Sequence, residues 1–224
     1  MTTKEVQEWL CLHGLFVKVD GINGPATQAA IRKFQTNHKI PVDGFVSIQT
    51  AAFLSIPLAL ANNIKGISSV SFSNAVVQVA KHYLDYHPRE VGGDNRGPWV
   101  RHFMQGKEGN EFPWCAGCVS TILIKADKVF PGNPFTYTMS CDVLAVQAKA
   151  KNRLVSGKDG LNAGSLFLIR GKNSNDWIHT GIVTAFNKDH YCTIEGNTND
   201  AGSREGYEMC TRTRSYTNVD FIKL

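Results

Sequence analysis

Hydrophobic spacing changes period near residue 165, and this change constrains the fold more than any other feature of the 224-residue sequence. Before it, apolar residues recur at the three- and four-residue spacing of helix faces. After it they fall in short runs bounded by Gly, Asn and Asp. Helices are predicted from Thr2 or Thr3 to Gly14, from Gly24-Pro25 through Phe34, from near Ser47 through Leu54, from a Ser73 cap through Tyr83, and over 98–105 and 115–128. Strands are predicted at 165–170, 180–186, 191–195, 207–212 and 220–223. Helices first and an antiparallel sheet second is an α+β layout.

The first helical part carries an internal echo. Asp20-Gly21 precedes the second helix and Asp43-Gly44 the third, each with a threonine seven residues after the aspartate, at Thr27 and Thr50. Residues 1–58 therefore form a small three-helix module. Residues 59–72 lose helical period, gain Ser, Asn and Gly, and are expected to be a linker to a second domain over 73–224. The two parts are expected to act independently.

In the second domain, a Gly-rich polar loop ends at Phe112-Pro113-Trp114, and a helix begins at Cys115. A thiol at a helix start is favoured as thiolate, and the exposed N–H groups there can receive an oxyanion. A cysteine nucleophile needs a base. His179 opens a hydrophobic strand, two residues before Gly181 on the same face. On a neighbouring strand, Glu195 and Asn197 flank Gly196 and are expected to meet the imidazole together. Gly181 is expected to leave room beside the ring for a substrate or a helix.

These residues carry two resemblances. The run DGINGPATQAAIRKFQ followed by VDG resembles the helical peptidoglycan-binding modules of cell-wall hydrolases. PWCAGCVS, then WIHTGIV, then TIEGNTN is similar to the papain-like cysteine-histidine amidohydrolase/peptidase domains of such enzymes. The second resemblance implies a papain-like fold with Cys115 as nucleophile, His179 as base, and Glu195 and Asn197 behind it. It further implies an N-acetylmuramoyl–L-alanine amidase or an endopeptidase. The compact build, with no secretory leader, resembles a bacteriophage endolysin, made in the host cytoplasm and acting on the wall after release. Some relatives carry an Asp-rich calcium loop before the nucleophile. Here Glu108 and Glu111 lack that spacing, so neither metal nor cofactor is expected.

The formal charge of +5 suits a polyanionic envelope but decides nothing alone. The expected partner is bacterial peptidoglycan and not nucleic acid, with the chain a monomer and without a membrane span. Six cysteines are too sparse for a disulfide-stapled scaffold. Two other readings remain: a wall-binding protein without catalysis, and a dithiol oxidoreductase at Cys115/Cys118. The second lacks the strand that normally precedes such a pair, and Cys118 is expected to be a core thiol. The loop from Glu90 to Trp99 is a further candidate for substrate contact, through Asn95 or Arg96.

Overall fold

A computed structural model of the chain describes residues 1–172, 176–199 and 206–224. The N-terminal module consists of α1 (Thr3–Leu12), α2 (Pro25–Asn37) and α3 (Ile48–Leu54). Thr2 and Glu5 close a reciprocal capping box on α1, Pro25 opens α2, and Ser47 caps α3. Val6, Trp9, Leu10, Ile31, Phe34 and Leu54 form the module's core.

The internal echo is a hydrogen-bond network built twice. Gln7 Nε2 donates to Asp20 Oδ1, the Ile22 carbonyl and Thr27 Oγ1, while its Oε1 accepts from the N–H groups of Asp20 and Gly21. Gln35 does the same with Asp43, Phe45, Thr50 and the N–H groups of Asp43 and Gly44. Gly21 and Gly44 have φ of 78° and 80°, conformations that suit glycine. Each buried glutamine satisfies a loop that would otherwise leave polar backbone without partners.

A helix α4 (Ile56–Asn62) follows almost directly, so residues 59–62 are helical where a linker is expected. Ala61 enters the main core, and Asn62 Oδ1 accepts from Tyr83 Oη. Next comes α5 (Phe72–Leu84), capped by Ser71. The predicted cap, Ser73, lies inside the helix, its hydroxyl bonded to the Leu224 carbonyl. Then come α6 (Pro98–Phe103), α7 (Cys115–Val129) and α8 (Cys141–Ala150).

The strands are β1 (Leu154–Ser156), β2 (Leu166–Arg170), β3 (Trp177–Phe186), β4 (His190–Thr198), β5 (Glu208–Ser215) and β6 (Val219–Ile222). They make one antiparallel sheet in the order β1-β6-β2-β3-β4-β5. This is a mixed helix and antiparallel-sheet fold, as the change of period requires. Leu166, Leu168, Ile182 and Ile194 pack with α5, α7 and α8. Phe167, Val183, Tyr191 and Phe221 form a separate cluster, on the opposite face by strand alternation. Among the described residues no helix is long and apolar enough to cross a membrane.

The module is packed against the second part. Glu8, fully buried, pairs with Arg101 (Oε2–Nη2 2.5 Å), which also holds Glu108 at 2.6 Å. Arg89 donates to the Leu12 carbonyl at 3.0 Å. Aromatic rings continue the contact inward: Trp9 meets Trp99 edge-on at 6.4 Å, Trp99 stacks on Phe103 at 6.3 Å, and Phe103 stacks on Trp114 at 5.4 Å. The ladder thus runs from the module's core to the residue before Cys115.

Candidate active site

Trp114 is the residue on which α7 starts. Its ring is fully buried, and its Nε1–H donates to Glu90 Oε1 at 2.8 Å. Glu90 Oε2 accepts from the Asn95 N–H, and burial pushes the Glu90 carboxyl above its ordinary range. Within the 90–99 loop, therefore, Glu90 braces the nucleophile's helix. Asn95 lines an adjacent cavity of about 260 Å³ with Glu90, Asp94, Asn110, Gly206 and Tyr207, whereas Arg96 pairs with Glu108 at 3.8 Å.

Helix α7 lies close against β4 because Gly196 has no side chain. A Cβ there would stand 2.6 Å from the Trp114 ring and 2.9 Å from Cys118 Cβ. Gly117 is equally constrained, its absent Cβ falling 2.4 Å from Met104 Sδ and 2.6 Å from the Phe103 carbonyl. Cys115 is the first residue of the helix, so its N–H and those of Ala116 and Gly117 lack carbonyl partners within the helix.

His179 is buried, and its Nε2 lies 2.8 Å from Glu195 Oε2. Strand register explains the approach. Ile182 pairs with Ile194, which sets Glu195 beside Gly181, and a Cβ on Gly181 would meet Glu195 Cγ at 2.9 Å and Phe167 at 2.7 Å. The space at Gly181 thus holds the carboxylate and a phenyl ring instead of substrate. His179 Nδ1 is buried and takes no full hydrogen bond in this geometry, so it is the nitrogen left for the Cys115 sulfur. Asn197 is buried next along β4 with φ of 59°, at the irregularity after Glu195. The structure sets Glu195 against His179 Nε2 and brings the Cys115 thiol close enough to the ring for each to perturb the other.

Two members of the site escape the sequence reading. Arg214 on β5 holds Glu195 with Nε on Oε1 and Nη2 on Oε2, both at 2.5 Å, and Thr193 Oγ1 donates to Oε1 at 2.5 Å. The predicted last-but-one strand stops at residue 212, two short of this arginine. Cys141, first residue of α8, sets its Sγ 3.8 Å from that of Cys115. Its placement follows from Asp142, whose Oδ1 accepts from the Trp177 N–H at the start of β3.

Electrostatics follow from these contacts. A hydrogen bond from the Cys141 thiol pulls Cys115 well below its ordinary range; burial opposes it, and the His179 ring and the Thr180 N–H add to it. Burial pushes His179 down, but hydrogen bonding and charge from Cys115 and Glu195 outweigh it and raise the ring to about 9. Burial pushes Glu195 up, but Arg214 and His179 bring it to about 2. Both directions favour the thiolate–imidazolium form of the pair. Cys118, one turn further, is a core thiol that burial pushes up. Among the described residues no group of three or more His, Cys, Asp or Glu side chains is placed to hold a metal ion.

Comparison with known proteins bears on the other end of the chain. Residues 2–54 match the family model of the peptidoglycan binding domain. The match covers α1 to α3 with both glutamine-held loops, associates the chain with the cell wall, and makes peptidoglycan its partner. No curated protein and no solved structure matches the chain.

Proposed function

We propose that the chain is a peptidoglycan hydrolase that cuts an amide bond through a Cys–His–Glu mechanism, its N-terminal module holding it to the wall. The observation that carries this reading is the buried neighbourhood of Cys115, His179 and Glu195 in a chain with a peptidoglycan-binding module. The Cys115 thiolate attacks the amide carbonyl, and amides at the start of α7 receive the oxyanion. The His179 imidazolium gives its proton to the leaving amine, then takes one from the water that hydrolyses the thioester. Glu195, kept ionised by Arg214, fixes the ring through Nε2 and stabilises its positive form. Asn197 is assigned a supporting place behind the ring. The fold is read as papain-like and the protein as endolysin-like, working on the wall from the cytoplasmic side of a permeabilised cell. The bond is either the N-acetylmuramoyl–L-alanine amide or one in the stem peptide or cross-bridge.

The test is digestion of purified peptidoglycan, followed by mass spectrometry of the soluble products. The full chain should release fragments bearing one new amine and one new carboxyl. Cys115→Ala should release none while still sedimenting with the wall, and His179→Ala should lose on the order of a hundred- to ten-thousand-fold in rate. Sedimentation by a wild-type chain that releases nothing would instead mark a binding protein without catalysis.

A further inference from the structure

We propose that Cys115 and Cys141 form an oxidisable dithiol whose oxidant is a small hydroperoxide. Their sulfurs stand 3.8 Å apart in the reduced protein. A disulfide needs about 2.0 Å, so closing the gap takes about 1.8 Å of movement. Helix α8 begins at Cys141 itself, after an irregular stretch over 131–140, so a small shift of its first turn can supply that movement. Each sulfur sits on the first residue of its helix, so the two helix starts stand side by side. Cys118 does not share this arrangement: it is one turn inside α7 and packed against Gly196. The dithiol partner of Cys115 is thus contributed by a different helix, at a sequence distance that no Cys-x-x-Cys pattern shows.

The chemistry balances in two steps. The Cys115 thiolate attacks one oxygen of the hydroperoxide, the O–O bond breaks, and the departing oxygen leaves as hydroxide or alkoxide and takes up a proton. Cys115 is then a sulfenic acid. The Cys141 sulfur attacks that sulfur, the S–O bond breaks, and water leaves with the Cys141 proton. The two thiols have given up two electrons, the peroxide has accepted them, and the S–S bond is formed. The disulfide blocks the nucleophile, shields it from sulfinic acid, and yields to an external thiol.

The inference uses the thiolate character of Cys115 on which the proposed hydrolase also depends, but its readout is independent of any wall substrate. The folded full-length chain is exposed to hydrogen peroxide, its remaining thiols are blocked, and it is peptide-mapped without reduction. The expected result is a cross-link that fragment spectra place between Cys115 and Cys141, with dithiothreitol returning both thiols. In Cys141→Ser, the same dose should carry Cys115 to sulfinic acid, which dithiothreitol does not reverse. Sulfinic acid on Cys115 in the wild type, at the same rate as in Cys141→Ser, would overturn the proposal, and so would a cross-link to Cys118. A cross-link in a chain that digests no wall would leave the dithiol standing and remove the hydrolase.

Discussion

Glu195 accepts four hydrogen bonds, from Thr193, twice from Arg214, and from His179, while fully enclosed. A buried carboxylate is tolerated only when its charge is met in this way. One consequence is a pH profile. His179 must be protonated to serve the leaving amine, and its folded value of about 9 lies above the ordinary 6.5. Activity should therefore hold through neutrality and fall as pH rises through about 9, as kcat/KM against pH would show. Stability has the same sign: the His179 contribution is complete below 6.5 and is lost as pH rises through about 9. The Glu195 contribution is complete above 4.5 and lost as pH falls through about 2. Glu195→Gln removes the charge that supports the imidazolium. Its alkaline limb should move to lower pH by at least about one pH unit, with a drop in kcat. An unmoved limb would mean that Glu195 acts only by orientation.

At the scale of elements, the paired glutamine networks set the strength of the module. Gln35 is enclosed, and its Oε1 is the acceptor for the Asp43 and Gly44 N–H groups. Gln35→Ala should cost about 1–3 kcal/mol for a buried amide left without an acceptor. Thermal denaturation would read the loss, and sedimentation with peptidoglycan should weaken at temperatures where Cys115→Ala still binds. The sequence shows the Asp-Gly turns and their threonines plainly, because turn chemistry is local. It hides the glutamines, which stand thirteen and eight residues before their aspartates across intervening helix or loop. Similar limits apply elsewhere. Cys115, His179 and Glu195 are legible because a helix start and two glycine-marked strands are local patterns. Arg214 and Cys141 are not, since sheet order and the α8 anchor at Asp142 bring them in. Helix α8 itself goes unpredicted. Its buried stripe of Cys141, Leu144, Ala145 and Ala148 is built mostly of small residues, and exposed Val143 and Val146 break its period. Short β1 is also missed, three residues giving no alternation to detect.

For the whole molecule, independent action of the two parts is not what the contacts favour. Glu8 is a charge buried at their junction, and Arg101 bridges it to Glu108. Glu8→Ala leaves Arg101 partly exposed and still paired with Glu108, so its cost falls below the about 3–5 kcal/mol of stranding a buried charge. In calorimetry the wild type should unfold in one transition, and Glu8→Ala should melt lower, with the module separating first. A Glu8→Ala melt superposable on the wild type would show that the junction contributes nothing to stability. Deleting residues 1–54 would bare Trp99 and strip Arg101 of Glu8, so the remaining fragment should be less stable than the full chain as well as unable to bind wall. The aromatic ladder has an optical consequence. Of the four tryptophans, Trp9, Trp99 and Trp114 stand on it, and only Trp177 lies elsewhere, in contact with Lys149 and Arg170. Hydration of Trp9 and Trp99 on separation would shift the intrinsic emission of the unlabelled protein to longer wavelength. The molecule thus carries its own dye for the state of its junction, and a fluorimeter can follow it on intact walls in real time.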